Sequence, residues 1–385
     1  MPLHSRGVPS GECITRVEDL DPYIDAWDAM AVEAGRPLAS PKWLMPWIRH
    51  AAPQNAQVRT VVVRDGDELI GIAPFFAQEG SLGRVDIRLF GVPFSERREP
   101  LSKPDRQDEV AAEIARLVAT TEPRPSIVAL EGIEESSSWP DLLKRHYPGP
   151  IRPLVARRMV LQTPTLSFNG ETFDEWMQSK SSNFRSQMRR MRRQLTDEGG
   201  QVRMTGQDDD IEKDVDSFMR LHLGRWEGRG GSGLADRGMH DMLVDAANEL
   251  LPEERFRLYL VELGEKPIGA GLFVAGGGEL TYFNGGFDED YGAYKPVLQT
   301  ILSAVEDSLA RGETRLDFGG GAQPYKLRFA NQTDPVTWVN LRPRNARYPI
   351  TRAQLLKEDL RWYGLGAFRR LPEERREQLK KLLRR

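Results

Sequence analysis

The chain has 385 residues, a formal net charge of −3 and 39% hydrophobic residues, enough for two domains of ordinary size, each with its own core. The single cysteine, Cys13, rules out an intramolecular disulfide framework and a thiolate zinc site, and the 5 histidines are scattered without metal-ligand spacing, so no metal chemistry is expected. No segment approaches the roughly 18 consecutive apolar residues of a membrane span, and the leader Met1-Pro2-Leu3-His4-Ser5-Arg6 lacks the apolar stretch of a signal peptide; a cytoplasmic protein is expected. The net charge gives no global reason to expect nucleic acid, although acids at Asp208 to Asp210 lie near an arginine-rich stretch and the C-terminus is basic.

In chain order, Ile14 to Val17 reads as a strand and Pro22 to Ala34 as a helix with Trp27 and Met30 on one face, and Trp43, Pro46, Trp47 and Ile48 mark another helix. Asp65-Gly66 between β-rich runs predicts a hairpin. Glu109 to Val118 repeats apolar residues at helical spacing, and Ile127 to Leu130 reads as a buried strand. Prolines from Pro148 to Pro164 punctuate the middle, and Thr172 to Lys180 and Ser182 to Leu195 read as helices opening the second half. Phe218 to Trp226 and Met239 to Leu251 are helical by periodicity. A hairpin of Leu258–Glu262 and Ile268–Val274 then leads into the strand Leu280 to Asn284. Pro296 opens a helix to Ala310, and Thr314 to Phe318 is the next strand; Trp338 to Leu341 is expected to close the second sheet, and Thr351 to Arg385 reads as a mainly helical tail.

The segment Val61 to Ala77 and the segment Leu258 to Ala275 share one pattern, strand, turn, Ile-Gly, strand, with Ile, Gly, Phe and Ala in register. A separation of about half the chain is far longer than a solenoid period and points to two copies of one domain. Each half reads helices, antiparallel strands, a helix and a further strand, which predicts an α+β or mixed α/β domain around one sheet. The expected division is 12–165, 166–345 and a basic helical tail at 346–385.

Several features of the second half carry a resemblance. They are Ser182-Asn183-Phe184-Arg185 with Arg189 and Arg192-Arg193; His222 with Arg225-Trp226; Ile268-Gly269; Tyr291 to Pro296; and Asp317-Phe318-Gly319 followed by Tyr325-Lys326 and Phe329. In their order and spacing these residues resemble the GNAT N-acyltransferase superfamily, specifically its CelD/BcsL-like branch, and share their outline with the FemAB peptidyltransferases. The resemblance implies a tandem GNAT architecture, each domain a central mixed sheet flanked by helices. It also implies transfer of an acyl group to an amine, from acyl-CoA (acetyl-CoA by default) or, in the FemAB case, from aminoacyl-tRNA. It places the donor near Tyr282 and Asn284, and near Tyr294 and Lys295 ahead of the Pro296 helix. The usual Gln/Arg-x-x-Gly-x-Gly/Ala donor loop is absent; Asp288-Glu289-Asp290-Tyr291-Gly292-Ala293-Tyr294-Lys295 stands there instead.

Asp317 ends an apolar strand before Gly319-Gly320-Gly321, where a carboxylate either takes a proton from an ammonium nucleophile or caps a strand end. Tyr325 and Lys326 follow. A phenol can protonate a departing thiolate and an ammonium can stabilise the oxyanion of a tetrahedral intermediate, and the FemAB likeness gives Lys326 the second role. The first copy has no Tyr-Lys after Ile127 to Gly132 and is expected to be structural or substrate-shaping. Arg185, Arg189, Arg192 and Arg193 share a helix face opposite Phe184, Met188, Met191 and Leu195. That face either clamps an anionic acceptor or RNA or is solvated. Substrate contact is also expected of His222, Arg225 and Trp226, followed by a Gly-rich loop at 228–231. The tail, with Trp362, Tyr363, Phe368, Leu371, Leu379, Leu382 and Leu383 among paired basic residues, either touches an anionic membrane or RNA or packs on its own domain. No nucleophilic serine or cysteine elbow stands out, so direct attack by the amine in a ternary complex is favoured. The competing readings are a FemAB-like aminoacyl-tRNA transferase and a degenerate GNAT pair acting as a scaffold.

Overall fold

Two hairpins anchor the architecture, and a glycine turns each. Thr60–Asp65 pairs antiparallel with Glu68–Ala73, and Phe256–Leu263 pairs with Lys266–Gly276. Gly66 and Gly264 both sit at φ +60°, where a side chain would be strained. The computed structural model describes residues 7–94, 96–226, 232–235, 238–321 and 323–369.

The second half builds a 7-stranded mixed sheet in the order Gly200–Met204, Phe256–Leu263, Lys266–Gly276, Glu279–Phe287, Arg315–Asp317, Pro164–Ser167, Gln332–Thr333. Only Glu279–Phe287 and Arg315–Asp317 run parallel, a pairing that requires a crossover. Helix Pro296–Ala310 supplies it. The apolar side chains Val297, Ile301, Leu302, Ala304 and Val305 of that helix are buried with Phe273, Leu280 and Leu316 of the sheet.

In the first half the strands divide at Pro74. Ser10–Ile14, Thr60–Asp65, Glu68–Ala73 and Leu101–Ser102 form a 4-stranded sheet, and Phe75–Glu79 begins anew in a 6-stranded one. The order of the latter is Ala56–Val58, Phe75–Glu79, Val85–Leu89, Ile127–Glu134, Val336–Arg342, Leu154–Leu161. The segment expected to close the second sheet, Trp338 to Leu341, therefore belongs to the first. Val336–Arg342 lies between Ile127–Glu134 and Leu154–Leu161 and is antiparallel to both. Its alternation marks it as a strand, but strand periodicity carries no information on which sheet will accept it.

The halves share a core. One apolar cluster contains Trp27, Trp43, Trp47 and Phe76 from the first half and Phe218, Leu243, Phe256 and Phe283 from the second, with Trp43 edge-on to Phe283 at 5.0 Å between ring centroids. The buried Arg255 guanidinium donates two hydrogen bonds to Asp28, at 2.7 and 3.1 Å, tying the residue just ahead of strand Phe256–Leu263 to a first-half helix. The tail helix, Tyr348–Arg369, packs Leu355 against Ile127 and Ala129 of the first sheet. Leu371, Leu379, Leu382 and Leu383 lie outside the described residues. Among the described residues no helix is long and apolar enough to cross a membrane.

Helix Ile211–Trp226 lies on strand Glu279–Phe287 so closely that a Cβ at Gly286 would stand 2.3 Å from the His222 backbone nitrogen and 2.4 Å from its Cα. Gly286→Ala is expected to cost about 1–3 kcal/mol by forcing the helix off the sheet; chemical denaturation measures it, and a neutral result would mean that the helix does not rest on the strand at this position.

Candidate functional site

The parallel strands pair only as far as Thr281 and Asp317. Beyond that point Arg315–Asp317 gives way to Gly319-Gly320-Gly321, while a register shift makes Phe283 a bulge in the other strand, with Leu272 opposite Asn284 and Phe273 opposite Tyr282. The strands part, and a cavity of about 580 Å³ opens at their carboxyl ends, the usual place for a ligand in a parallel α/β arrangement. Asp317, Tyr325, Lys326, Tyr282, Asn284, His222, Arg225 and Trp226 all line it, as do Phe94, Glu96 and Arg97 from the first half.

Asp317 is buried and held. Its Oδ2 receives Arg97 Nε, and its Oδ1 accepts the Gly319 N–H at 2.7 Å. Arg97 spends its remaining donors on Glu134 Oε1 at 2.8 Å, Thr163 Oγ1 at 2.7 Å and the Asp334 carbonyl at 2.9 Å. This carboxylate shapes the glycine loop.

Lys326 sits on the short helix Pro324–Phe329 and is only 5% exposed. Its Nζ donates to the Gly320 carbonyl at 2.9 Å and lies 5.8 Å from the centre of the Tyr282 ring. Burial lowers its pKa to about 8, with Glu96 and Asp317 pulling the other way. Tyr282 and Tyr325 share a hydrogen bond. Burial raises both phenols; for Tyr325 the hydroxyl of Tyr282 and the Arg225 guanidinium work against that rise. Both nitrogens of His222 are engaged, Nδ1 with the Gly285 carbonyl at 3.2 Å and Nε2 with Ser232 Oγ at 2.8 Å. Nδ1 therefore carries the proton and Nε2 accepts from the serine, and burial lowers the pKa further. His222 braces the bulged strand with a neutral ring.

A second cavity, about 330 Å³, is lined by Arg225, Phe287, Gly292, Lys295, Pro296, Val297, Leu298 and Tyr325. It lies at the start of helix Pro296–Ala310 and shares Arg225 and Tyr325 with the larger one. The carboxylates that precede this helix do not line it. Asp288 is bonded instead to Lys266 Nζ at 3.0 Å and to the Asp290 N–H at 3.2 Å.

Two groups of the expected site residues lie away from both cavities. Tyr294 lines neither cavity; its hydroxyl donates to Glu198 at the end of the arginine helix. Arg185, Arg189 and Arg193, with Ser182, Ser186 and Arg192, line a separate groove of about 660 Å³ that has no residue in common with either cavity. The helix itself, Ser182–Asp197, forms as expected, with Ser181 capping the Phe184 N–H and with Phe184, Met188, Met191 and Leu195 buried. Its apolar face docks on helix Pro296–Ala310, where Gln299 Nε2 donates to the Met191 carbonyl at 2.9 Å. The arginines consequently face away from the cavities. The glycine-rich loop at 228–231 lies outside the described residues.

Sequence reasoning missed Glu96 and Arg97. They lie in Pro93-Phe94-Ser95-Glu96-Arg97-Arg98-Glu99-Pro100, a charged run between prolines that reads as a solvated loop. The close juxtaposition of Arg-Arg with flanking glutamates was the available signal.

Residues 182–327 match the acetyltransferase (GNAT) domain family, a span that ends one residue past Lys326. Among solved structures the fold is similar to FemX, at TM-score 0.60 and 12% identity, covering 89% of this chain and 99% of that one. It is also similar to the C-terminal domain of a putative lysylphosphatidylglycerol synthetase from Agrobacterium fabrum, at TM-score 0.55 and 9% identity over 87% and 96% of the two chains. L-PGS from Bacillus licheniformis matches at TM-score 0.52 and 11% identity over 88% and 96%. No curated protein sequence matches the chain. Residues 182–327 thus carry an acetyltransferase domain of the GNAT type, and the chain as a whole shares the fold of FemX.

Proposed function

We propose that the protein is an N-acyltransferase that moves an acyl group from acyl-CoA, acetyl-CoA by default, to an amine by direct attack in a ternary complex. The observation that carries this reading is the meeting of two cavities at Tyr325 and Arg225, with Lys326 at the larger one. The donor thioester enters from the smaller cavity, its phosphates near Lys295 and the first amides of helix Pro296–Ala310, and its acyl carbon reaches the larger cavity, where the amine waits. Lys326 stabilises the oxyanion, Tyr325 gives a hydrogen bond to the leaving sulfur, and Asp317 with Arg97 fixes the glycine loop. Asn284 and Trp226 contact the substrates. The CelD/BcsL-like assignment within the superfamily is part of this reading and rests on the motifs quoted above. Acyl-CoA is a cytoplasmic metabolite, and we place the reaction there.

A second reading has a specific support. The arginine groove lies apart from the cavities, and Arg189 and Arg193 are exposed, which suits a polyanion such as the tRNA of an aminoacyl donor. Titration calorimetry separates the two. Saturable binding of both acetyl-CoA and free CoA is expected; no binding up to millimolar ligand, together with tRNA affinity that falls steeply with salt, would move the donor to aminoacyl-tRNA.

A further inference from the structure

Of the carboxylates lining the larger cavity, Asp317 has both oxygens occupied, by Arg97 and by the Gly319 N–H. The other is Glu96. Its carboxylate accepts the Gly320 N–H, and a Cβ on Gly320 would stand 2.4 Å from Oε1, so glycine at that position is what lets the acid reach the loop. The same loop presents its Gly319 and Gly320 carbonyls to Lys326 Nζ, at 3.5 and 2.9 Å. An acid from the first half and an ammonium from the second thus flank one glycine loop at the cavity wall.

We propose that Glu96 is the base that takes the proton from the acceptor ammonium, so that the two halves contribute to one active site. This rests on the acyl-transfer reading above. The acceptor R–NH3+ gives one proton to the Glu96 carboxylate, and the nitrogen lone pair forms the C–N bond at the thioester carbon. The carbonyl π pair moves to oxygen, where Lys326 holds the oxyanion. Collapse breaks the C–S bond, the electron pair leaves with sulfur, and the sulfur takes the second nitrogen proton with Tyr325 hydrogen-bonded to it. The products are an amide and a thiol, and Glu96 returns its proton to water. The other polar groups of the cavity are less suited: His222 has both nitrogens engaged, and burial raises the phenols of Tyr282 and Tyr325. The charged groups acting on Glu96 are Asp317, Lys326, Arg97 and Arg98. Burial first, and then Asp317, raise its pKa, which moves a glutamate toward the neutral range suited to proton transfer.

The test is Glu96→Gln, an isosteric change whose amide oxygen can still accept the Gly320 N–H. Thiol release from acetyl-CoA is followed against pH, with whichever of glucosamine, L-lysine and ethanolamine the wild type acylates, and acetyl-CoA affinity is measured alongside. The expected result is unchanged donor affinity, a kcat lower by about 10²-fold or more at neutral pH, and a gap that narrows as pH approaches the acceptor's own pKa. Glu96→Asp is expected to recover part of the rate. Wild-type kcat and pH profile in Glu96→Gln, beside an inactive Lys326→Ala, overturns the role of Glu96 and leaves acyl transfer standing. A wild type that acylates none of the three amines overturns both.

Discussion

Lys326→Ala is expected to lower kcat by about 10²–10³-fold, the usual effect of losing one oxyanion donor, while the protein stays folded and binds its donor with unchanged affinity. The ammonium is buried and makes its hydrogen bonds to the loop carbonyls of Gly319 and Gly320, so its removal deletes a cation from the cavity without emptying a core position. The pH profile gives an independent check. Burial lowers the Lys326 pKa to about 8, so the charged form is present below that value and is lost as pH rises through it. Turnover is therefore expected to fall above about pH 8. Lys326→Arg, permanently charged, is expected to retain part of the activity and to lose that alkaline limb. Unchanged turnover in folded Lys326→Ala would remove Lys326 from the mechanism.

Arg97→Met is expected to be the most destabilising single change, at about 3–5 kcal/mol, because it strands a buried carboxylate. Asp317 is 2% exposed and loses its main counter-charge, and Glu134 Oε1 and Thr163 Oγ1 lose their bonds as well. Arg97→Met combined with Asp317→Asn is expected to be more stable than Arg97→Met alone, since the uncompensated charge is then gone. Urea unfolding followed by fluorescence of the buried Trp27, Trp43 and Trp47 reports both. A loss under about 1 kcal/mol for the single variant would mean that the pair is solvated.

Local signals located much of the second half. Asp65-Gly66 marked the first hairpin and the shared Ile-Gly pattern the second, Pro296 marked the crossover helix, and the spacing of Phe184, Met188, Met191 and Leu195 marked the buried face of the arginine helix. These features depend on neighbours within a few residues. What the sequence could not reveal depends on partners far along the chain. Glu96 and Arg97 are polar residues in a proline-bounded run; the burial of Arg97 follows from Asp317, Glu134, Thr163 and Asp334, and the place of Glu96 follows from the Gly320 N–H. The outward direction of Arg185, Arg189 and Arg193 follows from the docking of their helix on Pro296–Ala310. Tyr294 is drawn to Glu198 by the same packing. Charge and periodicity describe a face; only the tertiary neighbour decides which way it looks.

The position of Val336–Arg342 between Ile127–Glu134 and Leu154–Leu161 has a consequence for biosynthesis. Chains emerge from the ribosome at about 5–20 residues per second, so the first half waits through the synthesis of the entire second half before its sheet can close. During that interval the facing edges of Ile127–Glu134 and Leu154–Leu161 are open to strand addition by other chains. A ribosome-released fragment ending before Val336 would carry that exposed pair of edges permanently, which makes truncation at the apparent midpoint a route to aggregation and makes the late strand the latch that completes the nascent protein.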